Sequence, residues 1–487
     1  MNNQTQWNSI LTFILAMIGL TLGIGNIWRF SYILYSNGGA SFFIPYVIAI
    51  VIMGIPFLIL EYGLGFSFKE SFSKLMRSIR PEFEIIAWML VLFVFIVVIY
   101  YMVILSWDFV YLINSFNFGW GDNPSSFFIN NVGGSTNLAN ATSFIIPTLI
   151  CTLFLWAIFW FISYRDIDKG IGRLSTILIP LLFILMLIII IYAFTLPNSN
   201  LGIKTLLNPN WSALLNINIW LAAFGQTIFT LSIGQAMVYT YASYLPKNTK
   251  LINEVLIVVG TNTAYEIFVA LGVFSILGYM SSVSPIPMNE LISEGTGLIF
   301  IVFPQICNEM GMMGHIIAPL LFISILFAGI TSSFALFEPL LSSMCDKFGW
   351  SRRKGVTILT IVACIASIIF STGISSYLVE IIDKFVNNFG ILILIAIQAI
   401  IFGWFYGVEK VIPYLNEFST FKVGKKWVFI IKYVLPIILI AIWIFGLVGI
   451  FDASNPFEII VDLIITLIVV SLSILFTKLN PQATDNF

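Results

Sequence analysis

Apolar residues run along this chain in blocks long enough to cross a bilayer, with polar residues gathered between them. Twelve such blocks can be delimited, at about 9–35, 40–66, 86–116, 142–162, 171–195, 216–244, 251–280, 314–345, 355–371, 377–405, 428–449 and 457–477. Hydrocarbon offers no water to free N–H and C=O groups, so spans of this kind fold as α-helices. The pattern predicts an all-α membrane protein of twelve transmembrane helices, with 1–487 forming one transmembrane domain.

Two blocks break their own pattern. The first contains Gly19-Leu20-Thr21-Leu22-Gly23-Ile24-Gly25-Asn26-Ile27-Trp28-Arg29-Phe30. A glycine weakens a helix interior by about 1 kcal/mol relative to Ala. Backbone freed at membrane depth must line a cavity, bind an ion or be buried in protein. Arg29 follows within a turn, where a lone charge is expensive. Gly19 and Gly23 also spell the GxxxG packing motif, which explains neither Gly25, Asn26 nor Arg29. The stretch therefore reads as a broken helix with carbonyls turned toward something positive. Gln226-Thr227-Ile228-Phe229-Thr230-Leu231-Ser232-Ile233-Gly234-Gln235 repeats the oddity in the sixth block. Blocks one and six are corresponding members of two halves of five. Paired breaks at equivalent positions predict an inverted repeat, about 9–195 and 216–405, followed by two extra helices at about 428–477.

Composition narrows the function. The chain is 59% hydrophobic and 9% charged, which excludes a soluble protein of this length. A net charge of −1, with no basic patch of the kind nucleic acid requires, excludes a nucleic-acid partner. Cys151, Cys307, Cys345 and Cys364 are scattered and read as small buried hydrophobes. With His315 as the single histidine, expected near a helix end, and no clustered carboxylates, no enzymatic constellation emerges. Met1 to Trp7 has no basic segment or cleavage signal, so the first helix is expected to be retained. Lys and Arg cluster after blocks 2, 4, 6, 8, 10 and 12; only Arg29, Lys204 and Lys384 lie on the other side. The positive-inside rule then makes both termini cytoplasmic in a multi-pass plasma-membrane protein. Segments 117–141 and 281–313 are expected outside, and Pro285, Pro287 and Gly295 suggest a re-entrant hairpin in the second.

The motifs together resemble the neurotransmitter:sodium symporter family over nearly the whole chain. They are Gly23-Ile24-Gly25-Asn26-Ile27-Trp28-Arg29-Phe30, Asn37-Gly38-Gly39, Pro45-Tyr46, Gly54-Ile55-Pro56, Glu61, Tyr100-Tyr101, Ser106-Trp107, Phe229-Thr230-Leu231-Ser232, Thr240-Tyr241-Ala242-Ser243-Tyr244 and Ala328-Gly329-Ile330-Thr331-Ser332-Ser333. Any one is weak, and their order and spacing make the set specific. The resemblance implies helices 1 and 6 broken at a central site. It implies one Na⁺ held by Gly19, Leu22, Ala328, Thr331 and Ser332, and a second by Thr21, Asn26, Thr230, Asn262 and the substrate carboxylate. The substrate would be an amino acid or related zwitterion, with Tyr101 on its carboxylate and Phe229 as lid. Leu20, Thr21, Ile24, Gly25, Val97, Thr230, Ser232, Gln235, Ser332 and Leu336 would line its pocket.

Arg29 and Asp383 stand where the family has its outer gate, and Trp7, Tyr244 and Asp346 where it has its inner one. Glu266, with Gln226 beside it, occupies the position at which chloride-dependent members carry Ser, implying chloride independence. Gly170 and Pro180 resemble the family's helix-unwinding element. Read singly, each Ser, Thr or Asn is a helix-to-helix hydrogen bond, and Ile24, Val97 and Leu336 are core. Likewise Arg29–Asp383 alone is a surface salt bridge and Glu266 a structural acid. The chain departs from the family at Gln4, where an Arg is usual, and at Leu20, Thr21 and Gln235. Sodium-coupled symport without an organic cofactor is the leading function, in contact with membrane lipids. A proton-coupled or uncoupled permease, and a substrate-sensing membrane receptor, are the alternatives. The oligomeric state is left open.

Overall fold

The computed structural model describes residues 6–283, 297–453 and 455–480. Among these the chain is helical throughout its apolar blocks, as the need to satisfy backbone groups inside each segment requires. The first block is two helices, α1 (Ile10–Thr21) and α2 (Gly25–Ser36), bent by 69° at Leu22–Ile24. Next come α3 (Gly39–Phe68), α4 (Pro81–Ser115), α5 (Ile146–Ser163) and α6 (Asp168–Thr195). The sixth block is again two helices, α7 (Ile217–Thr230) and α8 (Met237–Ser243). The remainder are α9 (Leu251–Val283), α10 (Gly311–Phe348), α11 (Arg352–Ile369), α12 (Ser375–Phe418), α13 (Lys425–Leu447) and α14 (Pro456–Lys478).

Among the described residues nine of these helices are long and apolar enough to span a membrane, and up to eleven spans result if two bent pairs, α1 with α2 and Ser199–Leu215 with α7, each count as one. The expected total of twelve is therefore not reached by length and composition. The block expected at 355–371 is α11, whose first turn carries Arg352, Arg353 and Lys354. The expected re-entrant hairpin at Pro285, Pro287 and Gly295 lies outside the described residues, as does Gln4. The flanking Leu298–Glu309 is helical. Gly170 lies in a wide π-type turn, Asp168–Gly172, and Pro180 lies inside a continuous helix.

The inner pillars are α4 and α10, buried over 83% and 78% of their apolar windows, whereas α14 is buried over only 17% and lies at the periphery. The two pillars pack along each other. At one end a buried ion pair ties them, with Lys347 Nζ 2.6 Å from Glu84 Oε1. Glu84 also accepts from Trp88 Nε1 at 3.1 Å and lies 3.5 Å from Arg77. Against this frame α3 presses on α8. A Cβ on Gly65 would stand 2.3 Å from the Tyr239 carbonyl oxygen and 2.9 Å from the Ala242 Cβ. The backbone approach fixes where the second half of the broken sixth span lies.

Gly65→Ala should cost about 1–3 kcal/mol, because the atom it meets is main chain and cannot rotate away. Thermal unfolding in detergent should show a lowered midpoint. Gly260→Ala, whose Cβ meets nothing within 4 Å, should leave the midpoint unchanged or raised.

Candidate functional site

The bend between α1 and α2 leaves Leu22, Gly23 and Ile24 outside both helices, though the Leu22 N–H still caps α1 on the Ile18 carbonyl at 2.8 Å. Neighbouring helices supply partners. The backbone N–H of Ile24 donates to Tyr101 Oη at 3.3 Å, and that of Gly23 to Asn26 Oδ1 at 3.1 Å. On the α10 side, Thr331 Oγ1 donates to the carbonyls of Gly19 at 3.2 Å and Ala328 at 2.9 Å. Ser332 Oγ lies 2.9 Å from the Gly19 oxygen, 3.1 Å from that of Ala328 and 3.5 Å from that of Leu22. All five oxygens expected from the sequence thus meet in one buried cluster. An all-oxygen cluster of this kind suits a small hard cation.

A second cluster lies on the other side of the break. Asn26 Nδ2 donates to Thr230 Oγ1 and to Asn262 Oδ1, each at 3.0 Å. Asn262 Nδ2 donates to Thr230 Oγ1 at 2.8 Å, and Thr230 Oγ1 donates to Glu266 Oε1 at 2.7 Å. The same carboxylate oxygen accepts from Gln226 Nε2 at 3.1 Å, and the other accepts from the Tyr46 hydroxyl. Glu266 is fully buried, one turn beyond Asn262 on α9. Its carboxyl group is therefore joined to the Asn26, Thr230 and Asn262 cluster through Thr230.

The α7–α8 break is built differently. Ser232, Gly234 and Ala236 all have positive φ, at 51°, 71° and 65°. For the two non-glycine residues this costs on the order of 1 kcal/mol each. The backbone of Gly234 is held at both of its peptide groups: its N–H donates to Glu61 Oε1 at 3.1 Å, and its carbonyl accepts from Gln398 Nε2 at 2.9 Å. A Cβ on Gly234 would stand 2.7 Å from Ile395. Glu61 appears above only as a motif residue, and Gln398 does not appear. Each is a single polar residue in an apolar run, which is the signal that finds them.

Between the breaks, Leu20, Ile24, Val97, Gln235 and Leu336 are buried, and Tyr101, Phe229 and Ser232 are partly buried. The Ile24 side chain lies against Gly329, where a Cβ would come within 3.1 Å of it. Gly25 opens α2. Thr21 turns its hydroxyl back to the Ile18 carbonyl at 3.1 Å. Above them the Arg29 guanidinium lies 4.2 Å from the Phe229 ring centroid. The Arg29 charge also acts on Asp383, whose Oδ1 accepts from Tyr100 at 2.6 Å and Asn387 at 2.9 Å.

The opposite end closes by other means. Trp7 is buried, donating Nε1 to the Tyr241 carbonyl at 3.0 Å and its backbone N–H to that of Tyr244 at 3.2 Å. Asp346 accepts from the Ser71 backbone N–H at 2.9 Å. Tyr244 reaches Glu338 rather than Asp346, at 3.4 Å. Glu338 is buried and forms a bidentate pair with Arg352, whose Nη2 lies 3.1 Å from Oε2. Neither member of that pair is among the expected site residues: Glu338 is a single acid in an apolar run, the signal that also finds Glu61, whereas Arg352 falls in a basic cluster between helices.

Removing one member of a buried ion pair costs about 3–5 kcal/mol, because the other is left without compensation. Arg352→Gln should therefore destabilise the protein by that order in thermal unfolding, and the double variant Glu338→Gln/Arg352→Gln should recover most of the loss. A double variant as unstable as the sum of the two singles would show that the groups do not act as a pair.

Comparison with known proteins agrees with this geometry. The family model for the sodium:neurotransmitter symporter family matches residues 4–143 and 121–474 in two overlapping segments. An uncharacterized sodium-dependent transporter of Methanocaldococcus jannaschii is 36% identical over 92% of this chain and 90% of its own length. The sodium-dependent serotonin transporter of Drosophila melanogaster is 27% identical over 91% of this chain and 76% of its own. The sodium- and chloride-dependent GABA transporter 2 of Rattus norvegicus is 26% identical over 91% of this chain and 80% of its own. Among solved structures, MhsT in complex with L-phenylalanine superposes with a TM-score of 0.77 at 28% identity, covering 91% of this chain and 99% of its own. On the extent of these matches the chain belongs to the sodium:neurotransmitter symporter family, whose fold is that of membrane-embedded secondary transporters working by sodium-dependent symport, and it is not an enzyme.

Proposed function

We propose that the chain carries an amino acid across the membrane with Na⁺, by alternating access, and needs no chloride to do so. The observation that carries this reading is the pair of buried polar clusters, one on each side of the Leu22–Ile24 break, the first made wholly of oxygens and the second of the Asn26, Thr230 and Asn262 side chains. Na⁺ leaves water only where oxygens replace its hydration shell. The carbonyls of Gly19, Leu22 and Ala328 with the hydroxyls of Thr331 and Ser332 make one such shell. The Thr21 carbonyl with Asn26, Thr230, Asn262 and the substrate carboxylate makes the other. Half-helix amide ends favour a carboxylate and freed carbonyls an ammonium, which together select a zwitterion. Tyr101 binds its carboxylate, and Phe229 closes over it beneath Arg29 and Asp383. The phenylalanine in MhsT supports this substrate class. Gln235 favours a small or polar substrate side chain, because a buried amide facing only aliphatic groups costs about 1–3 kcal/mol. The same reading takes 9–195 and 216–405 as inverted repeats followed by two extra helices at 428–477, with both termini in the cytoplasm of a plasma-membrane protein.

Binding should require Na⁺. A thermal-shift screen of the purified protein against the common amino acids should find ligands that raise the unfolding midpoint in Na⁺ and not in choline, with polar side chains foremost. Asn26→Ala and Thr331→Ala should each weaken or abolish the shift. Equal affinity in Na⁺ and choline would end the sodium reading.

Charge balance predicts the anion. Two Na⁺ and a zwitterion bring a net charge of about +2 into a site of low dielectric, where uncompensated charge is costly. Glu266 supplies that negative charge here, whereas the rat relative is named as chloride-dependent. Transport should persist when gluconate replaces chloride, and Glu266→Ser should make it chloride-dependent. A wild type that stops in gluconate would refute the assignment.

A further inference from the structure

One end of the bundle holds a cleft of ≈ 660 Å³, separate from the two polar clusters at the first break and bordered also by Thr12 of α1. It lies where the end of α5, the first turns of α6 and the start of α11 meet. Arg165, Lys169, Arg173 and Arg353 line it, with Asp166 and Asp168 the acids among them. Four cations against two carboxylates leave an excess of positive charge in one place, which is unfavourable unless something negative offsets it. Asp168 is already engaged, accepting from the Asn8 backbone N–H at 3.0 Å and from the Asn8 side-chain amide. Among the described residues, none of the four cations joins a salt bridge within 4.0 Å. Two rest on aromatic rings instead. Arg165 lies 4.7 Å from the Phe161 centroid and Arg353 5.3 Å from that of Tyr164.

The rings say at what depth the cleft sits. Phe161, Tyr164 and Trp160 are exposed on α5, and Trp160 Nε1 is anchored to Thr357 Oγ1 at 3.0 Å. Aromatic side chains of this kind mark the boundary between headgroups and hydrocarbon. From the cleft, Ile177, Ile184 and Ile188 of α6 continue as an exposed stripe at helical spacing. A cationic cleft at headgroup depth with an apolar track leading from it fits an amphiphile. A soluble anion would gain nothing from the track.

We propose that this cleft binds the headgroup of an anionic phospholipid, its phosphate among Arg165, Lys169, Arg173 and Arg353 and its acyl chains along α6. The bound lipid bridges α5, α6 and α11. By the positive-inside reading it belongs to the cytoplasmic leaflet, and its binding to the folded form alone stabilises that form.

The test uses the full-length protein in nanodiscs of phosphatidylcholine mixed with phosphatidylglycerol, analysed by native mass spectrometry. The wild type should retain phosphatidylglycerol in preference to phosphatidylcholine. Retention should weaken about fivefold for each cation removed in Arg165→Gln/Arg353→Gln. Arg173→Gln alone, at an exposed position, gives the same reading should the double variant fold poorly. Lys422→Gln/Lys425→Gln, an equal loss of charge elsewhere, should retain the lipid. In detergent, dioctanoyl phosphatidylglycerol should raise the unfolding midpoint of the wild type, and dioctanoyl phosphatidylcholine or inorganic phosphate should not. Equal retention of the two lipids, undiminished phosphatidylglycerol in the cleft variants, or an equal shift with inorganic phosphate would each overturn the proposal.

Discussion

Backbone freed inside hydrocarbon must find partners in protein, and most of the polar chemistry of this chain answers that requirement. Two helices are interrupted at depth, and each interruption exposes amides and carbonyls that water cannot reach. Around the first, Tyr101, Asn26, Thr331 and Ser332 come from three different helices to meet them. Around the second, Glu61 and Gln398 take the N–H and the carbonyl of one residue, Gly234. These residues lie far apart in sequence, so each break holds neighbouring helices in register, and the register in turn keeps the break open. A polar group deleted here leaves its backbone partner unsatisfied as well as removing one contact.

The glycines of the first break show that two readings of one motif can be a single fact. Gly19 and Gly23 form a packing motif, and they also lie in a polar cluster. A Cβ on Gly19 would come within 3.0 Å of Thr331 Cβ, and one on Gly23 within 3.4 Å of the Tyr101 hydroxyl and 3.6 Å of Ser332 Oγ. The absence of side chains is what lets α1 lie against α10 closely enough for the Gly19 carbonyl to reach two hydroxyls. Close packing is thus the means by which the oxygen cluster forms.

What was legible in the sequence follows from contrast. Asn26, Thr230, Asn262, Glu266, Thr331 and Ser332 are polar residues in apolar surroundings, and the structure brings them together in the two clusters expected of them. The helical class and the two breaks were legible for the same reason. Gln398 carried that contrast too, but nothing near it in sequence named its partner Gly234, 164 residues away. Glu338 carried contrast as well, but its partner Arg352 falls in a basic cluster between helices, and only tertiary packing pairs and buries the two. The count of spans was blurred where α11 begins with three basic residues and where α7 and α8 split a span into pieces too short to qualify alone.

The two ends of the central pathway differ in what holds them. At the Arg29 end, a guanidinium lies over the Phe229 ring, and such a contact is worth about 0.5–1 kcal/mol where water has access. Asp383 there is held by Tyr100 and Asn387, neither of them charged, so its position does not depend on Arg29. At the other end a buried bidentate pair, a buried Trp7 and the engaged carboxylates of Asp168 and Asp346 join five separated stretches of chain. Breaking a buried pair costs several times more than that ring contact contributes by itself. Opening the Arg352 end must draw on the difference in affinity that bound solute and ions have for the two states, since a ligand shifts an equilibrium only by that difference.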